Sequence, residues 1–215
     1  NLIATWIDEG ALETPQVDVS GIFFSEYGEG SSNNKYLEIY NGTGSDVDLT
    51  TLAFPNVANA PSNAGEYEYW NAFPAGATVA PGAVYVIAHP ESDESILAHA
   101  DHEFTYLSNG NDGFCLVEGT EDSYTIVDCI GDWNGDPGDG WDVAGITNGT
   151  QNHTLVRQST VIEGNNGDWS TSAGTNSGNS EWIVLGQDIW DYLGSHPHEI
   201  TTDGPSIAIV SPEDG

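Results

Sequence analysis

The sequence predicts an all-β protein built as a β-sandwich. Short runs of strand-forming residues alternate with turn signals from Ile22 to about Leu193. Hydrophobic residues make up 38% of the 215-residue chain, which is enough to bury one sizeable core. We therefore expect a single large domain with enlarged loops and one short helix.

The first two strands flank a polar loop. Ile22–Tyr27 and Tyr36–Tyr40 have strand character, and the loop 28–34 between them is too long for a two-residue hairpin. In the second run Leu37 and Ile39 alternate with Tyr36, Glu38 and Tyr40. This period of two predicts a half-buried strand.

The next part of the chain predicts several shorter strands, at 47–49, 52–54, 67–71 and 73–79. Val84–Ala88 is the most continuously apolar run and predicts a central strand. The helix is expected at 90–100, where acidic residues precede Ile96 and Leu97. Two late strands are predicted at 153–157 and 181–185.

The two cysteines lie in neighbouring strand-like runs. Cys115 and Cys129 are equidistant from Asp122, in a polar turn, so a hairpin centred there places them opposite each other. We expect a disulfide, which favours an oxidising, extracellular compartment. Two unpaired buried thiols are the alternative.

The ends of the chain differ in texture from its centre. Residues 1–19 are interpreted as an N-terminal extension, and 20–198 as the sandwich. A linker and the start of a following module are expected at 199–215. We therefore expect a part of a larger polypeptide whose other domains are partners.

The charge is strongly one-sided. Asp and Glu number 34 against two basic residues, Lys35 and Arg157, for a formal net charge of −32. Two cations cannot neutralise a phosphate backbone, so autonomous nucleic-acid binding is not expected. The sequence has no apolar run long enough for a membrane span.

Four motifs occur in order along the chain: 25–41, the run 128–131 with 136–138 and Trp141, 152–157, and 193–196. Together they resemble the lamin-tail domain family, over about 22–196. The resemblance implies an immunoglobulin-like β-sandwich of the bacterial branch attached to secreted nucleases and other exported proteins. It also implies a non-catalytic accessory or interaction module, secreted or at the cell surface. Arg157 is expected to pair inside the sheet with Glu38, because both occupy family positions.

An acidic loop is the candidate metal site. Alternating Asp and Asn residues separated by Gly can converge on calcium, which takes six to eight oxygens. The candidate ligands are Asp132, Asn134, Asp136, Asp139 and Asp142. Pro137 and the missing Glu at position twelve depart from an EF-hand loop. Turns in which these carboxylates accept backbone N–H groups are the alternative.

A carbohydrate-binding or hydrolytic domain is the alternative function. Exposed aromatic residues could stack on sugars, with acidic residues close by. The candidates are Tyr67, Tyr69, Trp70, Trp133 and Trp141, for which packing in the core is the commoner explanation. The six histidines show no zinc spacing and are expected at the surface. No nucleophile elbow motif is present in the sequence.

Overall fold

The computed structural model describes residues 21–200. The expected N-terminal extension and most of the expected linker and following module lie outside this range. Within it, eleven strands, two α-helices and one 3-10 helix follow one another along the chain. The strands are β1 Ile22–Glu29, β2 Lys35–Asn41, β3 Val47–Asp48, β4 Leu52–Ala53, β5 Thr78–Val79, β6 Val84–Ala88, β7 His102–Glu103, β8 Phe114–Thr120, β9 Ser123–Ile130, β10 Thr154–Arg157 and β11 Trp182–Leu185.

Two main sheets form the sandwich. One has six strands in the order β11-β10-β1-β2-β6-β7, antiparallel except for the β6–β7 pair. The other has three strands in the order β4-β8-β9, and β3 pairs separately with β5. Apolar side chains from both main sheets meet in one core, which includes Phe24 and Ile39 from the first and Leu116 from the second. The all-β sandwich prediction is confirmed.

The β1–β2 pair is buried on both faces, so the prediction of a half-buried strand was wrong. Every residue of both strands is buried. Leu37 and Ile39 face the main core, while Tyr36 packs with Ile96 and Leu193 in a second cluster. The first α-helix and the segment 186–200 supply this cover. Because they lie far along the chain, the local alternation carried no sign of them.

A bulge in β1 changes which way its side chains point. The register with β2 shifts between Phe24 and Glu26. As a result two successive residues, Ser25 and Glu26, contact polar side chains on the same face of the sheet. A bulge of this kind inserts one residue and breaks the alternation locally. The polar side chains of Ser25, Glu26, Tyr36 and Glu38 therefore lie together on the face of the sheet that the 186–200 segment covers.

The disulfide prediction is confirmed. Cys115 and Cys129 are directly opposite in the β8–β9 hairpin and form a disulfide. They pack beside Val57 and Trp133 in a cluster of their own. The covalent bond therefore lies at the buried end of the hairpin, whereas the end near the turn is exposed.

Other elements depart from expectation. The predicted helix is shorter, α1 Glu94–Leu97, and a second helix, α2 Trp169–Ala173, was not predicted. Asp168 caps α2 by accepting the Thr171 N–H. The run 67–71 does not form the predicted strand, and it makes a single antiparallel bridge between Tyr69 and Asn56.

Candidate functional site

Arg157 is the centre of a buried ion cluster. Its Nη2 lies 3.1 Å from Oδ1 of Asp128 and 3.2 Å from Oε2 of Glu181. The guanidinium stands over the rings of Phe23, at 5.5 Å, and Trp182, at 4.5 Å. These aromatic faces compensate for N–H groups that have no hydrogen-bond acceptor among the described residues.

Asp128 joins the two sheets at this point. Its carboxylate also accepts hydrogen bonds from the backbone N–H groups of Phe24 in β1 and Asn165. Burial raises the pKa of Asp128, while the Arg157 charge and these hydrogen bonds oppose the rise. All of its contacts are internal, so we assign the Asp128–Arg157 pair to the fold.

The expected Glu38–Arg157 pair is wrong. Glu38 instead accepts the Ser25 hydroxyl at 2.6 Å and the Gly194 N–H at 2.6 Å. Arg157 pairs instead with Asp128 from the opposite sheet. The sequence does not show which residues of one sheet face those of the other, so it could not predict this partner. Glu38 therefore ties the 186–200 segment to the six-stranded sheet.

Glu26 completes this buried acidic pair. It accepts the Tyr36 hydroxyl, and its Oε2 has no partner among the described residues. Burial, with the charge of Glu38 as a second cause, raises the pKa of Glu26 to about 8. Burial raises the pKa of Glu38 to about 7. Both carboxyls are almost fully buried, and the 186–200 segment covers Glu38 through Gly194.

The acidic loop consists of turns in which carboxylates accept backbone N–H groups. Asp132 accepts from Asn134, Asp136 from Gly138, and Asp142 from Asn148, at 2.7, 2.8 and 3.0 Å. Asp132, Asn134, Asp136 and Asp142 line one shallow hollow of about 580 Å³, and Asp139 does not. Among residues 21–200, no group of three or more His, Cys, Asp or Glu side chains is arranged to hold a metal ion.

Four of the five candidate aromatic residues belong to the packing. Trp133 is 4% exposed and donates its indole N–H to Gly113. Tyr67 packs against both Trp133 and Trp70, and Trp141 packs against the main core. Tyr69 alone among the five is exposed, at 56%.

Tyr69 lines a cleft. The cleft has a volume of about 670 Å³ and sits at the end of the six-stranded sheet, where Lys35 begins β2 and His89 follows β6. Its lining residues are Asn33, Lys35, Asn56, Ala58, Tyr69, Asn71, His89, Phe104, Thr105, Tyr106, Leu107, Asn109 and Asp112. Tyr106, which the sequence interpretation missed, is 77% exposed.

Internal bonds hold the cleft in shape. Lys35 Nζ donates to Glu29 at 2.5 Å and to the Ser108 carbonyl at 2.9 Å, which anchors the 104–112 loop to the sheet. The Asp112 carboxylate accepts the N–H groups of Asn59 and Asn109, at 2.9 and 3.3 Å. Asp112 therefore connects the two loops that border the cleft.

Two histidines are buried rather than exposed, contrary to expectation. His89 lines the cleft and accepts the Glu91 N–H on Nδ1, so its Nε2 carries the ring proton. His196 packs edge-on against Tyr40 and Phe23. Burial lowers the pKa of His196 to about 3, so it is a neutral packing residue at ordinary pH.

The chain matches the family model of the Lamin Tail Domain over residues 15–131, more than half its length. This range includes the β1–β2 pair, the disulfide hairpin and Asp128. The chain therefore belongs to the lamin tail domain family, whose domains are immunoglobulin-like and non-catalytic. No curated protein and no solved structure matches it at a significant level. No helix in the described part of the chain is long and apolar enough to cross a membrane.

Proposed function

We propose that this chain is a non-catalytic binding module that serves the other domains of a larger exported polypeptide. The observation that supports the proposal is that three carboxyl groups with raised pKa values are buried and do not line the cleft. Glu26, Glu38 and Asp128 are buried in the fold, and Asp112 is the one acidic residue among the described residues that line the cleft. Glycoside hydrolysis ordinarily needs two carboxyl groups flanking the scissile bond.

The Cys115–Cys129 disulfide supports secretion or a cell-surface location. Disulfides persist in oxidising compartments. A net charge of −32 keeps such a module soluble and repels nucleic acid. Because this charge disfavours nucleic acid and anionic membranes, we propose that the ligand is a protein or a glycan. We propose no autonomous contact with nucleic acid or the membrane.

Calcium stabilisation stays a prediction of this proposal. Three carboxylates of the acidic loop use one oxygen for a backbone N–H, which leaves their second oxygens for a cation. Asp132, Asn134, Asp136 and Asp142 share one hollow and would supply the ligands there. Calcium accepts such irregular, oxygen-rich loops.

Assays for turnover test the main proposal. The chain is incubated with chromogenic glycosides, phosphodiesters, esters and peptides, with a commercial hydrolase for each class as the positive control. We expect no product above the buffer blank. Turnover that persists through purification and is lost in an Asp112→Asn variant would contradict a non-catalytic role.

A further inference from the structure

We propose that the cleft between Tyr69 and Tyr106 is a binding site for a neutral saccharide. The inference rests on the proposed function in one respect, namely that the module binds its ligand without chemistry. It goes further by assigning the site and the chemical class of ligand. The volume of about 670 Å³ is within the usual range for small-molecule sites, about 300–1,000 Å³.

The aromatic residues supply the faces on which a sugar ring can lie. Tyr69 and Tyr106 are the two most exposed large hydrophobic side chains of the described residues, and both line this one cleft. Phe104 lies edge-on to both Tyr106 and Phe54, which fixes that border of the cleft.

Apart from Lys35 and Asp112, the polar lining is uncharged and can both donate and accept. Four amide side chains line the cleft, those of Asn33, Asn56, Asn71 and Asn109. Asn56 is 5% exposed, and its Oδ1 accepts a 2.9 Å hydrogen bond from Nδ2 of Asn71. The Oδ1 of Asn71 accepts no hydrogen bond within the described residues. A sugar hydroxyl is likewise donor and acceptor, so amides match it in both roles.

Three polar lining residues are almost fully buried, which gives the site a fixed floor. Lys35, Asn56 and His89 are 6%, 5% and 7% exposed. Lys35 is already neutralised by Glu29, and the Nε2–H of His89 donates to no acceptor within residues 21–200. A floor held by internal bonds lowers the ordering cost of binding.

Charge selects among ligands that have both a polar edge and an apolar face. Phosphorylated or sulfated ligands meet a surface of net charge −32 and find only a neutralised lysine in the cleft. A cationic peptide would need several carboxylates, yet Asp112 is the one acidic residue among the described residues that line the cleft. An uncharged saccharide satisfies the aromatic faces and the amides without a counter-charge.

Titration calorimetry of the whole chain tests the assignment. The probes are cellohexaose, xylohexaose, mannohexaose and chitohexaose, with hexagalacturonate and hexalysine as charged comparisons. We expect at least one neutral probe to bind, with an affinity that changes little between about 0.1 and about 1 M NaCl because no charges pair.

Variants locate the site. Tyr69→Ala and Tyr106→Ala should each weaken binding about tenfold, whereas Tyr106→Phe keeps the ring and should stay within about threefold. Ile189→Ala removes an exposed apolar side chain outside the cleft and should leave binding unchanged. Circular dichroism confirms that each variant is folded.

The outcomes separate this inference from the proposed function. Binding of no neutral probe, binding of hexalysine alone, or equal binding by Tyr69→Ala and Tyr106→Ala would overturn the cleft assignment and leave the non-catalytic role intact. A second outcome is that the wild type binds a neutral probe and also cleaves it into shorter products, while both variants lose binding. That result would support the cleft assignment and overturn the non-catalytic role.

Discussion

Arg157 and Asp128 are joined across the sandwich by a 3.1 Å ion pair between fully buried side chains. Arg157 belongs to β10 of the six-stranded sheet, and Asp128 belongs to β9 of the opposite sheet. The pair thus fixes how the sheets sit on each other, in a protein with only two basic residues.

Loss of the guanidinium should destabilise the fold strongly. Arg157→Met leaves Asp128 buried without its charge partner, which typically costs about 3–5 kcal/mol. Glu181→Gln is the matched control, because Glu181 is the partly exposed partner and should contribute less than about 1 kcal/mol. Urea unfolding followed by tryptophan fluorescence measures both. Similar losses in the two variants would show that Asp128 is not the main partner.

The buried carboxyls Glu26 and Glu38 should make the protein less stable at alkaline pH. Their pKa values in the fold, about 8 and about 7, exceed the value of an unfolded glutamate, so the folded state holds protons more tightly. This stabilisation is complete below the unfolded pKa, near 4.3, and is lost as pH rises through 7 and 8. The neutral His196 acts at the other end, since its lowered pKa removes stability as pH falls towards about 3.

Glu26→Gln isolates the alkaline effect. The amide resembles the protonated acid, so we expect stability close to wild type at pH 5 and a gain on the order of 3 kcal/mol at pH 9. Glu118→Gln, on an exposed part of β8, controls for the reduction in net charge. Melting temperatures across this pH range provide the measurement. A gain that is the same at both pH values, or is matched by Glu118→Gln, would refute the assignment.

Gly131 is required by the ring of Trp141. A β-carbon at Gly131 would lie 2.7 Å from the ring, and the residue has φ +77°. Gly131→Ala should therefore cost roughly 2–4 kcal/mol through crowding and a left-handed backbone. Gly135 in the same acidic loop has open space around it and gives the matched Gly135→Ala control. Denaturant midpoints that shift equally for both would contradict this account.

Calcium should raise the melting temperature if the acidic loop binds it. Differential scanning fluorimetry at millimolar CaCl₂ checks this, with MgCl₂ as the comparison because magnesium demands stricter octahedral geometry. We expect a rise with calcium that Asp132→Asn and Asp136→Asn abolish. An unchanged melting temperature in wild type would end the calcium prediction, and a rise that both variants retain would place the ion elsewhere.

Local patterns predicted the parts of the fold that depend on neighbours in sequence. The β1–β2 pair follows from alternation, and the cysteine pair was predicted from a turn centred on Asp122. The observed turn places Thr120 opposite Ser123, and a register shift between Leu116 and Val117 brings Cys115 opposite Cys129. The partner of Arg157 could not be found this way, because it depends on how two sheets pack. The burial of Glu38 depends similarly on Gly194, 156 residues further along the chain.

The candidate site was predictable only in kind. Aromatic residues with acidic residues close by gave sugar binding as the alternative function, and Tyr69 was among those aromatic residues. The amide side chains that line the cleft were not part of that prediction. Trp133 and Tyr67 were candidates for exposed sugar-stacking residues, but both pack around the disulfide. Their neighbours in the sequence are polar, so nothing in the sequence indicated this packing. Tyr106 stands in a similar context, between Thr105 and Leu107, and only the cleft geometry distinguishes it.

The fate of the bound sugar shows whether the module binds without chemistry. The chain is incubated overnight with the neutral hexasaccharide that it binds, at comparable concentrations, and the sugar is then recovered and separated by chain length. We expect all of the sugar to return as the intact hexasaccharide. Shorter oligosaccharides that accumulate with time, and that disappear in Tyr106→Ala, would show instead that the module is catalytic.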